Sequence, residues 1–216
     1  MRDPRLNSLL ERLRQRPEYR GAALYGSRAR GDARDDSDYD VLVLMDEAFG
    51  QELVTEDGTL DLVLASEQEI RAFVVGHPDD AIETWRVAVI LDDPTGVLGR
   101  LREDVLDRER QGKDRLSEAD LRTREFNIMD KLRAAEHALE ADPPTAGLLV
   151  SLIISDLTAL AFDRRGEWTP GPKQRLPELR KLDPELGTVA DRVLTEATLR
   201  ARVAAARSLA ELLLRH

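Results

Sequence analysis

From Ser117 to the C-terminus, no stretch of this 216-residue chain reads as a β-strand, whereas its first half alternates short apolar runs with helical patterns. That switch fixes the class: a mixed α/β (α+β) layer followed by an all-α layer. The strand-like runs are 21–25 (GAALY), 39–45 (YDVLVLM), 59–65 (TLDLVLA, entered through the turn EDG) and 86–91 (RVAVIL). Each is short, rich in aliphatic and β-branched residues and bounded by turn formers, as strands are. Between them lie helices. Leu6, Leu9, Leu10 and Leu13 share a face over 5–15. Ser66 and Glu69 have the spacing of a capping box, which opens a helix through about Val75. DDPTG ends the last strand, and a helix follows from about Gly96.

The second half reads as a bundle. Ser117 and Asp120 start a helix that runs to about Glu140, and Asp142-Pro143-Pro144 stops it. A second helix covers about 145–164, with Leu148, Leu149, Leu152, Ile153, Leu157, Leu160 and Ala161 as its expected apolar face. RRGEWTPGPK is a Gly/Pro loop. A helix over about 173–182 follows, then a longer one from about 184 that breaks near Thr195 and ends in a stripe of Leu199, Val203, Ala206, Leu209, Ala210 and Leu213. Short connections favour antiparallel neighbours and hence a helical bundle. Gln111-Gly112-Lys113 marks the boundary, giving expected domains of 1–112 and 113–216.

Composition narrows the chemistry. There is no cysteine, which removes disulfides, thiolate metal sites and cysteine nucleophiles. The net charge of −10 argues against nucleic acid as a partner, because phosphate contacts need Lys and Arg, and it favours a cationic small substrate. Aromatic side chains are 4% of the chain, leaving little for base stacking. No run of about 18 apolar residues was found, so no membrane span is expected. The N-terminus has no apolar signal core, and the protein is read as cytoplasmic.

The informative stretch is GSRARGDARDDSDYDVLVL, 26–44. Gly26 lets backbone approach a phosphate closely, and Ser27 opens a short helix with free N–H groups and a hydroxyl. Gly31 ends that helix within about a turn. Asp38 and Asp40 are two apart at the head of a strand, so both carboxylates face one way. Asp61 interrupts the apolar strand LDLVL, where an unpaired charge is costly. If the two strands are neighbours, three carboxylates meet. With a nucleoside triphosphate they can ligate two Mg²⁺, one ion activating the attacking oxygen and the other steadying the leaving pyrophosphate.

Gly26-Ser27, the spaced Asp38-x-Asp40 and the apolar-flanked Asp61 resemble the signature of the polymerase-β-like nucleotidyltransferase superfamily. GSRARGDARDDSDYD looks especially like its small bacterial members, with Arg30-Gly31 and Ser37 also matching. The motif covers 21–65. A nucleotidyltransferase domain followed by a helical bundle is similar to the kanamycin and aminoglycoside nucleotidyltransferases, and WTPGPKQRLPELRKLDPEL (168–186) looks like a segment of related C-terminal domains.

The resemblance implies ATP or another nucleoside triphosphate, Mg²⁺ and transfer of a nucleotidyl group to a hydroxyl of a small acceptor. It implies Asp38, Asp40 and Asp61 as catalytic metal ligands. It also implies a carboxylate base, for which Glu83 in DDAIETWRV is the first candidate and Asp79, Asp80 and Asp92 compete. Gly26, Ser27 and Arg28 are candidates for the nucleotide, as is Lys173, where the resemblance places a lysine. Some relatives assemble their site across a homodimer. An enzyme that places AMP on a partner protein, as antitoxins do, is the alternative reading, and a non-catalytic nucleotide-binding module the third.

Other residues carry less. Asp32, Asp35 and Asp36 read as solvated loop acids. Arg28 and Arg30 face phosphate or the loop acids. His77 and His137 are isolated, and Arg133 and His137 lie too close in sequence for a nuclease pair. Trp85 and Trp168 read as packing residues before they read as base-stacking ones.

Overall fold

The computed structural model describes residues 4–46, 52–56 and 59–214, with 52–56 as backbone only. Contacts divide the chain into two units, Met1–Gln111 and Gly112–His216.

In the first unit, α1 (Pro4–Leu13) leads into β1 (Tyr19–Tyr25), the one-turn α2 (Gly26–Arg30), β2 (Tyr39–Met45), β3 (Glu52–Glu56) and β4 (Leu60–Ser66). Then come α3 (Glu67–Gly76), α4 (Pro78–Val87), β5 (Val89–Asp92) and α5 (Val97–Gln111). The strands form one mixed sheet in the order β3-β4-β2-β1-β5. β2 and β4 run parallel, and the other pairs are antiparallel.

Alternation along β2 and β4 decides what each sheet face holds. Tyr39, Val41 and Val43 of β2 and Leu60, Leu62 and Leu64 of β4 turn to one side, where they pack in one core with Leu6, Leu9, Leu10 and Leu13 of α1. Asp40 and Asp61, one residue out of phase, therefore face the other side. The capping box at Ser66 is complete: its hydroxyl accepts from Glu69 N–H, and the Glu69 carboxylate accepts from Ser66 N–H at 2.8 Å.

Two sequence expectations need correction. The run 86–91 is not all strand. Pro78 at the first turn and the buried Ala81, Ile82 and Trp85 make α4 a helix through Val87, and β5 begins only at Val89. β3 was not anticipated, since ELVTE is too short and charged to stand out. Of the EDG turn, Asp57 and Gly58 lie outside the described residues.

The second unit is wholly helical among its described residues: α6 (Glu118–Ala141), α7 (Pro143–Asp163), α8 (Pro172–Leu182), α9 (Pro184–Thr195) and α10 (Leu199–Leu214). α7 is the central helix, packed against α6, α8, α9 and α10. It buries Val150, Ile153, Ile154, Leu157, Leu160 and Ala161. Leu148 and Leu152, expected on that face, are exposed. By length and composition α7 is also apolar enough to cross a membrane, contrary to the sequence reading, although half of that apolar window is buried inside the bundle.

Candidate active site

β1 ends at Tyr25 with extended backbone, and Gly26 at φ 71° turns the chain into α2. Gly31 at φ 88° closes that single turn, its N–H donating to Ser27 O at 2.9 Å. Glycine takes both positions without steric penalty. A β-carbon on residue 26 would lie 1.9 Å from Asp40 Oδ2, so the turn sits directly against that carboxylate.

Asp40 and Asp61 are register partners on the parallel strands β2 and β4. Asp38 stands just before β2. One carboxylate oxygen from each of the three lies within 4.8 Å of the others. It is the one such ligand group among the described residues. An all-oxygen, triply anionic donor set suits a hard divalent cation such as Mg²⁺. Tyr25 is the register partner of Asp40 on the other side, so Tyr25, Asp40 and Asp61 form a row across three strands. Burial first, then the charges of Asp40, Asp61 and Asp38, push the Tyr25 phenol up to about 12. Tyr25 was not singled out in the sequence, yet pairing 21–25 with 39–45 would have put it beside the acids.

Arg28 points to backbone. Its Nε donates to Ser37 O at 3.0 Å and Asp38 O at 3.2 Å, and its Nη2 donates to Ser37 O and to Asp35 O at 3.3 Å. The guanidinium lies 4.1 Å from the Tyr39 ring centroid. Arg30 pairs instead with Asp32 at 2.8 Å. Asp32, Asp35 and Asp36 are exposed.

The remaining candidates lie outside the three-carboxylate group. Glu83 is half-buried on α4, which packs against α2 and β1, and it is not a member of the three-carboxylate group. Asp79 and Asp80 occupy the first turn of α4. Asp92 pairs in register with Ala22, three residues along β1 from the Tyr25–Asp40 pair, or about 10 Å. It accepts from Arg14 at 2.9 Å and Tyr19 at 3.0 Å. Lys173 is exposed in the first turn of α8, in the second unit. Trp85 is a core residue, and His77 stacks on Phe73.

One cluster in the second unit escaped the sequence reading. The Asp163 carboxylate, 4% exposed, pairs with Lys113 at 2.5 Å and with Arg124. Thr169 donates to it at 3.4 Å, and Lys113 lies 5.8 Å from the Trp168 ring centroid. The only signal was an acid ending the apolar run of α7.

Residues 7–78 match the family model described as Polymerase beta, Nucleotidyltransferase. The fold is similar to the crystal structure of a nucleotidyltransferase-like protein from Exiguobacterium sibiricum 255-15, with a TM-score of 0.55 at 16% identity, covering 97% of this chain and 73% of that one. No curated protein matches the chain.

Proposed function

We propose that the protein is a divalent-metal-dependent nucleotidyltransferase, a reading supported by the match of residues 7–78 to the Polymerase beta, Nucleotidyltransferase family model. It moves a nucleotidyl group, AMP where ATP is the donor, onto a hydroxyl of a small acceptor. The acceptor oxygen bonds to the α-phosphorus, the bond from that phosphorus to the oxygen bridging to the β-phosphate breaks, and pyrophosphate leaves. The observation that carries this reading is the approach of Asp38, Asp40 and Asp61 to within 4.8 Å, beside a glycine turn with no room for a side chain.

Asp38, Asp40 and Asp61 would hold the metal. When bound, the cations supply Lewis-acid stabilisation of charge developing on the phosphate oxygens. The Gly26-Ser27 turn offers backbone N–H groups and the Ser27 hydroxyl to the triphosphate. Glu83 is the proposed base for the acceptor hydroxyl. The net charge of −10 favours a cationic acceptor of the aminoglycoside kind.

The test is pyrophosphate release from ATP and Mg²⁺ over an aminoglycoside panel, with mass spectrometry of the acceptor. An adduct heavier by one nucleotidyl group, lost in Asp40→Asn, is expected. If no acceptor is modified and Asp40→Asn binds Mn²⁺ and nucleotide as the unaltered protein does, the reading fails.

A further inference from the structure

Two members of the carboxylate group are aimed by the sheet, and the third is not. Asp40 and Asp61 sit in the β2–β4 ladder as register partners. Asp38 precedes β2. The ladder's nearest tie is the Tyr39 N–H, which donates to Thr59 O at 2.9 Å. Residues 32–38 include the exposed acids Asp35 and Asp36, whose charges repel the cluster they lead into. Something must hold Asp38 against that repulsion.

We infer that Arg28 is a positioning residue for Asp38: it clamps the loop carbonyls so that the Asp38 carboxylate stays with Asp40 and Asp61, rather than serving as a ligand for phosphate. The inference rests on the reading of Asp38 as a metal ligand. One guanidinium edge takes three loop carbonyls, those of Asp35, Ser37 and Asp38. Its plane lies over Tyr39, which is 7% exposed and anchored in the sheet core. Hydrogen bonds from an ionised donor are the stronger kind. A planar fork can satisfy several carbonyls and a ring together, whereas an ammonium cannot. Two of its three nitrogens are spent on this work. Arg30, with the same charge on the same turn, makes no such clamp and pairs with Asp32.

The experiment measures Mn²⁺ affinity in the presence of a non-hydrolysable ATP analogue, by electron paramagnetic resonance on the full chain. Arg28→Lys keeps the charge and loses the fork. It is expected to weaken Mn²⁺ binding about 10–100-fold, the usual range when a partner of a metal ligand is lost, while Arg30→Ala leaves it unchanged. Because the effect runs through Asp38, Arg28→Lys in an Asp38→Asn background should add no further loss. A purely structural role would lower thermal stability without that non-additivity. A phosphate-contact role would instead be rescued by lysine and would raise the nucleotide KM at saturating metal.

Unaltered Mn²⁺ affinity in Arg28→Lys, or multiplied losses in the double variant, overturns the inference. If Arg28→Lys fails to fold, Tyr39→Leu removes the ring beneath the guanidinium and keeps an apolar core residue. A several-fold loss that vanishes in the Asp38→Asn background supports the clamp, and no loss overturns it. If the unaltered protein binds no Mn²⁺, the metal reading itself falls and the clamp with it. If it binds Mn²⁺ and Asp40→Asn does not, while Arg28→Lys does, only the clamp falls.

Discussion

Gly26 and Asp40 approach so closely that a β-carbon on the first would stand 1.9 Å from Oδ2 and 2.7 Å from Cγ of the second. Gly26→Ala therefore does two things. The left-handed backbone at φ 71° costs about 1–2 kcal/mol for a side-chain-bearing residue, and the methyl displaces the Asp40 carboxylate. Nucleotidyl transfer should fall about 10–100-fold or more, with a lower Tm. Gly76→Ala, where nothing lies within 4 Å, should leave activity intact. Activity assays and thermal melts on the pair check this.

Asp61→Asn should separate stability from function. Asp40 and Asp61 are like charges on neighbouring strands, an arrangement that destabilises by roughly 0.2–1 kcal/mol. Without added metal the variant should melt at the same temperature as the unaltered protein or higher, and its Mn²⁺ binding should be lost. A lower Tm in metal-free buffer would contradict the electrostatic account.

Tyr25 predicts an alkaline signature. Its phenol is raised from 10.0 to about 12, by burial first and by Asp40, Asp61 and Asp38 next. A raised folded-state value means that the neutral form is favoured on folding. The resulting stability is fully present below pH 10 and is lost as pH climbs from there through about 12. Ultraviolet titration should show Tyr25 ionising late, and Tyr25→Phe should flatten the stability decline in that window. Asp40→Asn should move the titration only part of the way back, since burial is the larger cause.

Asp163 predicts where the second unit is fragile. Its carboxylate is nearly inaccessible, and its partner Lys113 is only 15% exposed. Asp163→Ala removes the buried carboxylate from that ammonium, and breaking such a buried pair costs about 3–5 kcal/mol. The lower end is expected, because Arg124 reaches solvent. Asp163→Asn should cost less. Denaturant unfolding of both variants measures the difference.

Leu160 and Leu148 lie on one helix with opposite fates. Leu160 is fully buried in the bundle core, and Leu148 is 61% exposed. Leu160→Ala should cost about 2–5 kcal/mol, and Leu148→Ala no more than about 0.5 kcal/mol. Equal costs would show that the Leu148 face is covered in solution.

The Leu148 case shows why part of the fold was hidden in the sequence. α7 is apolar nearly all round, so helical periodicity could not select which stripe the bundle buries. α10 was easier, because its polar residues mark the outside. Two caps were plain, Ser66 with Glu69 and Ser117 with Asp120, each satisfying a free N–H three residues on, whereas Asp142, read only as a helix stop, also caps α7 by accepting from Thr145 N–H. β3 and α4 were missed because ELVTE lacks alternation and PDDAIETWRV has only three buried positions in ten.

The Gly26-Ser27 turn, the two-residue spacing that sets Asp38 and Asp40 on one side, the Ser66 and Ser117 caps and the change from mixed sheet to bundle are all legible along the chain. These are local properties, set by backbone sterics, strand alternation and hydrogen bonds a few residues long. The parallel pairing of β2 and β4 with Asp40 beside Asp61, the completion of their row by Tyr25 and the turn of Arg28 to the loop carbonyls emerge only in the folded chain. Register between partners 21 residues apart is fixed by burying Val41, Val43, Leu62 and Leu64 against α1, and no local pattern carries that information. Where a long cationic side chain comes to rest depends on which carbonyls the ladder leaves unpaired, and those are known only once the sheet has formed.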